Sequence, residues 1–204
     1  MTTQENFEKA LTFIKREGIE DLVFYLKNVT DFFTAPASTN FHGNYEGGLL
    51  EHSVNVTQFA LHNFNVIVTR KPDLEYLRES VVICALFHDL AKINLYSKAE
   101  KWVKDKNSKW IAYEGYEIKD SFPLPHSTKS LYLISKYIKL TDTEALAITY
   151  HMGAFNPSAL IPGMDKFAFD KAIEHPLVKI VMSADILATS IEETIDYKSI
   201  AINK

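Results

Sequence analysis

The chain has 204 residues, 47% of them apolar, and a formal net charge of -4. That composition fits one globular domain with a sizeable core and excludes wholesale disorder. The longest apolar run, Val81 to Phe87, is far too short to cross a membrane. Mild acidity argues against a protein built around long duplex nucleic acid, which needs a strong positive field.

Met1 to Glu5 has no basic start leading into an apolar stretch, so no secretory signal is read there. The lone Cys84 excludes an internal disulfide and a cysteine-based zinc knuckle. It fits a reducing cytoplasm, the expected location.

Thr2-Thr3-Gln4-Glu5 reads as a capping box opening a first helix, with Gly18 as its stop. A second helix is expected from Ile19 to about Asn28. Turn formers then cluster from Thr34 to Gly48. Leu49, Val56, Ala60, Phe64 and Ile67 recur at helical spacing and predict a helix to about Thr69. After Pro72 a further helix is expected from about Leu74 to Ile93.

Trp102-Val103 and Trp110 to Tyr113 flank a polar run and predict a β-hairpin near residues 98–114. Helix resumes from about Ser127 to Lys139. Thr141-Asp142-Thr143-Glu144 is a second capping box, opening a helix that stops at Gly153. Pro157 and Pro162 make Ala154 to Gly163 a loop. Pro176 suits the first turn of a last helix reaching about Ile191, and the tail Glu192 to Lys204 is expected to fray. The expected class is mostly α: one helical domain over residues 1–204, core about 40–190, with a small hairpin insertion.

The histidines carry most of the functional signal. His88-Asp89 lies near the end of an apolar helix, where a long imidazole and a short carboxylate on neighbouring positions can converge on one metal ion. Lys92 sits one turn later, placed to reach a phosphate held on that metal. His52 follows Gly47-Gly48 in the first turn of its helix, beside the apolar stripe. Asp185 interrupts the apolar face Val178, Val181, Met182, a costly place for a carboxylate unless it is paired or bound to metal. His126 is fixed by Pro123-Leu124-Pro125 at a helix start, and His151 lies in the last turn before Gly153. Taken singly, each has an ordinary structural explanation: a solvated pair, a satisfied buried histidine, a salt bridge, a cap.

The order of these residues is the informative part. Gly-Gly-Leu-Leu-Glu-His-Ser at 47–53, Leu-Phe-His-Asp-Leu-Ala-Lys at 86–92, His126, Tyr-His-Met-Gly at 150–153 and Ser-Ala-Asp at 183–185 together resemble the HD-domain superfamily of metal-dependent phosphohydrolases. The resemblance covers roughly residues 40–189 and implies an HD-domain helical bundle. It implies a first metal site of His52, His88, Asp89 and Asp185. His126 and His151 match the extra histidines of two-metal members, in which Asp89 would bridge both ions. Lys92 stands where some single-metal nucleotidases carry a glutamate, and this favours two metals. His42 matches a histidine that faces substrate in several members, and Lys129 is a further candidate for phosphate contact.

Imidazole and carboxylate ligands suit Mn²⁺, Fe²⁺, Co²⁺, Ni²⁺ or Zn²⁺. Two such ions would activate water and clamp the oxygens of a phosphoester, with Asp89 and Lys92 as the catalytic protein groups. The expected function is a metal-dependent phosphohydrolase acting on a nucleotide. Two alternatives stand beside it. One is a phosphodiesterase or exonuclease of short single-stranded oligonucleotides, for which Lys98, Lys101, Lys104, Lys106 and Lys109 with Trp102 and Trp110 would supply contacts. Related bacterial exoribonucleases carry a separate nucleic-acid-binding domain for which this chain has no room. The other is a non-catalytic nucleotide-binding module; degenerate modules usually lose ligands, and all six are present here. No membrane partner is expected, and the oligomeric state is not legible.

Overall fold

The computed structural model describes residues 1–153 and 164–195. Helix α1, Thr3–Leu11, opens on the expected capping box: the Thr2 hydroxyl accepts from Glu5 N and the Glu5 carboxylate accepts from Thr2 N at 2.7 Å. It ends well before Gly18, which instead caps the start of α2, Ile19–Asn28, at φ 84°. A Cβ at Gly18 would lie 1.9 Å from the Tyr137 carbonyl oxygen, so glycine is required there by backbone shape and by space.

Helix α3, Gly48–Val68, begins at the paired glycines. A 3₁₀ turn, Pro72–Leu77, leads into α4, Arg78–Phe87. Val81 to Phe87 are all buried, so α4 is apolar on every side because it runs through the middle of the core. Both α3 and α4 pack against the last helix, α8, Pro176–Thr189.

The long helix expected from Leu74 to Ile93 is therefore split into three pieces. Asp89, at φ -104° and ψ 20°, leaves helical geometry, and a short 3₁₀ turn, Leu90–Lys92, follows. The Ser130 hydroxyl accepts from Ala91 N at 2.9 Å and holds that turn. The break takes His88 and Asp89 out of a continuous helix surface and presents them at its end.

The hairpin is longer than expected. Strands β1, Tyr96–Lys104, and β2, Trp110–Ile118, pair antiparallel from Tyr96↔Ile118 to Lys104↔Trp110. The Asp105 carboxylate accepts from Asn107 N and Lys109 N, both at 2.8 Å, which shapes the turn. Helices α5, His126–Ser135, and α6, Asp142–Thr149, follow. The Thr141 capping box forms, but α6 ends short of Gly153, leaving His151 in the turn beyond it. Helix α7, Met164–Ala172, precedes α8. The expected loop at 154–163 and the tail from 196 lie outside the described residues. Helices with one two-stranded sheet give the mostly α class expected. No helix among the described residues is long and apolar enough to cross a membrane.

Candidate metal centre

The paired glycines fix the first part of the site. Gly47 sits at φ 84°, and a Cβ on Gly48 would lie 2.1 Å from the Gly43 carbonyl oxygen. The loop carrying His42 thus lies directly on the start of α3, one turn before His52. The His42 and His52 rings stand 5.0 Å apart.

Asp89 is the centre of the cluster. Its Oδ2 lies 3.4 Å from His52 Nε2 and 3.5 Å from His88 Nε2, and Asp185 Oδ1 lies 3.3 Å from His52 Nε2. Its Oδ1 faces the other way, 2.7 Å from His126 Nε2 and 3.6 Å from His151 Nε2. His52, His88, Asp89 and His151 are buried, and Asp185 is 16% exposed. The six residues come from α3, the end of α4, α5, the turn after α6, and α8.

Hydrogen bonds set the ring orientations. His88 Nδ1 donates to the Ala85 carbonyl at 2.8 Å, and His151 Nδ1 donates to the Ile148 carbonyl at 2.6 Å. Each therefore turns its Nε2 toward the cluster; burial works against a charged His151, but Asp89 outweighs it and raises the pKa of that ring. His52 Nδ1 lies 2.9 Å from a carboxylate oxygen of Glu192.

The electrostatics favour a positive charge at this point. Burial works against a charged His52, yet the hydrogen bonds it donates to Asp185, Asp89 and Glu192 outweigh it and hold its pKa well above the usual value. Burial pushes His88 down to about 4, keeping that ring neutral. Burial opposes ionisation of Asp185 as well, but His52 and the neighbouring histidines bring it down to about 2. Burial likewise opposes ionisation of Asp89, but the Lys92 ammonium and the hydrogen bond to His126 hold it well below the carboxylate range. Converging imidazole lone pairs and ionised carboxylates form a donor set that could hold metal ions.

Lys92 Nζ lies 2.7 Å from Asp89 Oδ2; burial opposes its charge, and Asp89 more than restores it. A cavity of about 740 Å³ opens over the cluster, and its lining includes His42, Lys92, Tyr96, His126 and Asp185. Its apolar lining includes Phe41, Ile118, Met152 and Ile186.

Lys129 is not part of this cavity lining. Its Nζ is 2.7 Å from Asp120 and its side chain is 7% exposed, so an internal ion pair replaces the expected phosphate contact. The hairpin lysines and tryptophans also stand outside the lining, to which the hairpin contributes Tyr96 and Ile118 from its base.

Glu192 was not anticipated, since its segment reads as a fraying tail. Its side chain is 1% exposed. Helical spacing could not have found it, because the last helix ends at Thr189, before Glu192.

No protein-family model matches the chain, and no solved structure matches it significantly. A stretch of 66 residues, 32% of the chain, is 41% identical to the dihydroneopterin 2',3'-cyclic phosphate phosphodiesterase of Methanocaldococcus jannaschii. The match spans 26% of that relative's length.

Proposed function

We propose that the chain is a metal-dependent phosphohydrolase of the HD type that hydrolyses a phosphoester bond of a small nucleotide-like substrate. The observation that carries this reading is the division of Asp89: one oxygen faces His52 and His88, the other His126 and His151. That is the arrangement a carboxylate bridging two ions requires. His52, His88, Asp89 and Asp185 would hold one ion; His126 and His151, with Asp89, would hold the second. Divalent transition ions bound there would supply Lewis acidity at a phosphoryl oxygen and lower the pKa of water toward neutrality.

The protein's own groups complete the site. Asp89 stays ionised because Lys92 sits against it. Lys92 is cationic and borders the cavity, where it would stabilise charge developing on the phosphate. Burial raises the Tyr96 hydroxyl pKa, so it stays protonated and able to donate a hydrogen bond. His42, on the cavity wall with an Nε2 that makes no hydrogen bond and lies 3.9 Å from Glu192, would contact substrate. The cavity volume of about 740 Å³ is within the range that accepts a nucleotide. Phe41, Ile118, Met152 and Ile186 offer an apolar seat for a flat ring. The cyclic phosphodiester named for the archaeal relative combines such a ring with a phosphoester, and it sets the substrate class tested first.

Hydrolysis of short single strands is a second reading. Trp102 and Trp110 are 57% and 62% exposed, and Lys104 Nζ lies 5.1 Å from the Trp110 ring, a face on which bases could stack.

One experiment separates these readings. Protein loaded with Mn²⁺ is incubated with 2',3'- and 3',5'-cyclic nucleotides, nucleoside mono- and triphosphates, and short oligonucleotides, and the products are resolved by chromatography. Cleavage of a small phosphoester, abolished in Asp89→Ala together with metal content while the fold persists, is the expected result. Cleavage of oligonucleotides alone favours the second reading. Turnover of nothing by wild type, or full turnover by Asp89→Ala, overturns the proposal.

A further inference from the structure

We propose that Glu192 is a positioning residue for this centre: its carboxylate keeps a proton on Nδ1 of His52, so that Nε2, which faces Asp89 and Asp185, is the nitrogen left to ligate an ion. The inference rests on reading the cluster as a metal centre.

An imidazole can ligate through Nε2 only when that nitrogen is free of its proton. His88 and His151 secure this with backbone carbonyls, which are neutral acceptors. His52 uses a carboxylate, with Glu192 Oε1 at 2.9 Å and Oε2 at 3.1 Å from Nδ1. A charged acceptor makes a stronger hydrogen bond and makes the far nitrogen a better donor to a cation.

The chain goes to some length to hold this carboxylate. Glu192 lies beyond the end of α8, yet its side chain is 1% exposed. Asn55 Nδ2 donates to it at 3.4 Å. Backbone bonds pin its segment to the loop beside His42: Gly43 N donates to the Glu193 carbonyl at 2.9 Å, and Ile195 N donates to Asn44 Oδ1 at 2.8 Å. Burying a carboxylate this far is costly unless a strong partner repays it, and His52 is the nearest group able to do so. His42 Nε2 is farther off, at 3.9 Å.

Glu192 could instead ligate an ion with His42 and His52, because the three offer donor atoms close together. The 2.9 Å contact argues otherwise. It is a hydrogen-bond distance, and ligation would strip the Nδ1 proton it depends on.

The test measures Mn²⁺ affinity by calorimetry, and Mn²⁺ per chain by elemental analysis. It compares the purified wild-type chain with Glu192→Ala, Glu192→Gln, Glu192→Asp and Asn44→Ala. Glu192→Ala should weaken binding about 10–100-fold without changing the number of ions bound. Glu192→Gln, whose amide oxygen still accepts from Nδ1 but carries no charge, should recover part of the loss and fall between wild type and Glu192→Ala. Glu192→Asp is too short to reach and should behave like Glu192→Ala; it carries the test if the alanine variant does not fold. Asn44→Ala, which frees the segment but keeps the carboxylate, should stay close to wild type.

Unchanged affinity in Glu192→Ala or Glu192→Asp overturns the proposal. An equal loss in Asn44→Ala overturns it too, since anchoring of the segment would then be the cause. Loss of one whole equivalent of Mn²⁺ in Glu192→Ala would make Glu192 a ligand and also overturn it. Failure of wild type to bind Mn²⁺ is a separate result, which removes the metal centre itself and this inference with it.

Discussion

The Nε2 atoms of His52 and His88 face each other at 3.2 Å across 36 residues of sequence. His88 gives its Nδ1 proton to the Ala85 carbonyl, so its Nε2 is a bare acceptor. Two bare nitrogens at that distance repel each other, and a positive charge between them removes the repulsion. In the metal-free protein the charge is a proton on His52, whose pKa stands well above normal once Asp185, Asp89 and Glu192 have overcome burial.

Metal binding must therefore expel that proton. Affinity for Mn²⁺ should rise with pH through neutrality and level off once His52 of the metal-free protein deprotonates unaided. Calorimetry in buffers of different ionisation enthalpy should find net proton release at pH 7, from His52 and from His151, whose pKa values both stand above the usual one. A pH-independent affinity with no proton release would contradict this assignment.

Acid should destabilise the metal-free protein through His88. Its folded pKa is depressed to about 4 by burial, so between about 6.5 and 4 the unfolded chain binds a proton that the folded chain refuses. Stability then falls as pH is lowered through that window. His52, raised in the fold, contributes fully below about 6.5 and does not oppose the trend. Asp185, brought down to about 2, contributes fully above about 3.8 and is lost only at lower pH. Thermal melts in EDTA between pH 7 and 4 measure the effect, and a flat or rising Tm on acidification would refute it.

Lys92→Met should separate chemistry from metal binding. Loss of the ammonium beside the cavity should lower kcat about 10²–10³-fold, as for removal of one transition-state donor. Mn²⁺ should still bind, because Lys92 is not among the grouped donor residues and a cation held by Asp89 would replace the ammonium as its counter-charge. Steady-state kinetics together with elemental analysis test this, and an unchanged kcat would remove Lys92 from the mechanism.

Stability elsewhere depends on a second buried charge. The Glu144 side chain is fully buried, takes Arg16 at 2.9 Å and Ser80 at 2.7 Å, and closes the α6 capping box. Glu144→Ala should cost about 1–3 kcal/mol, because Ser80 and the Thr141 cap lose their acceptor while the partly exposed Arg16 keeps Glu79 and the Lys139 carbonyl. Urea denaturation would measure the loss, and a change under about 1 kcal/mol would place the pair among weak surface bridges.

Local patterns in the sequence were legible where local physics decides. Thr2 and Thr141 with their glutamates cap helices as read, and Val81 to Phe87 form the buried helix that their uninterrupted apolarity demands. Gly18 was misread because a left-handed glycine serves either end of a helix; packing against the Tyr137 carbonyl chose the start of α2. The break at Asp89 was hidden because nothing in Leu90-Ala91-Lys92 opposes helix, and the bond that holds the turn comes from Ser130, 39 residues away.

The same division runs through the site. The types and order of His52, His88, Asp89, His126, His151 and Asp185 were set in the sequence, since few side chains other than imidazoles and carboxylates serve as donors to such ions. Tertiary structure alone decided which oxygen of Asp89 faces which histidines, that Lys129 spends its charge on Asp120, and that Glu192 reaches back to His52. Those outcomes depend on distances between helices remote in sequence, and chain-local periodicity carries no information about them.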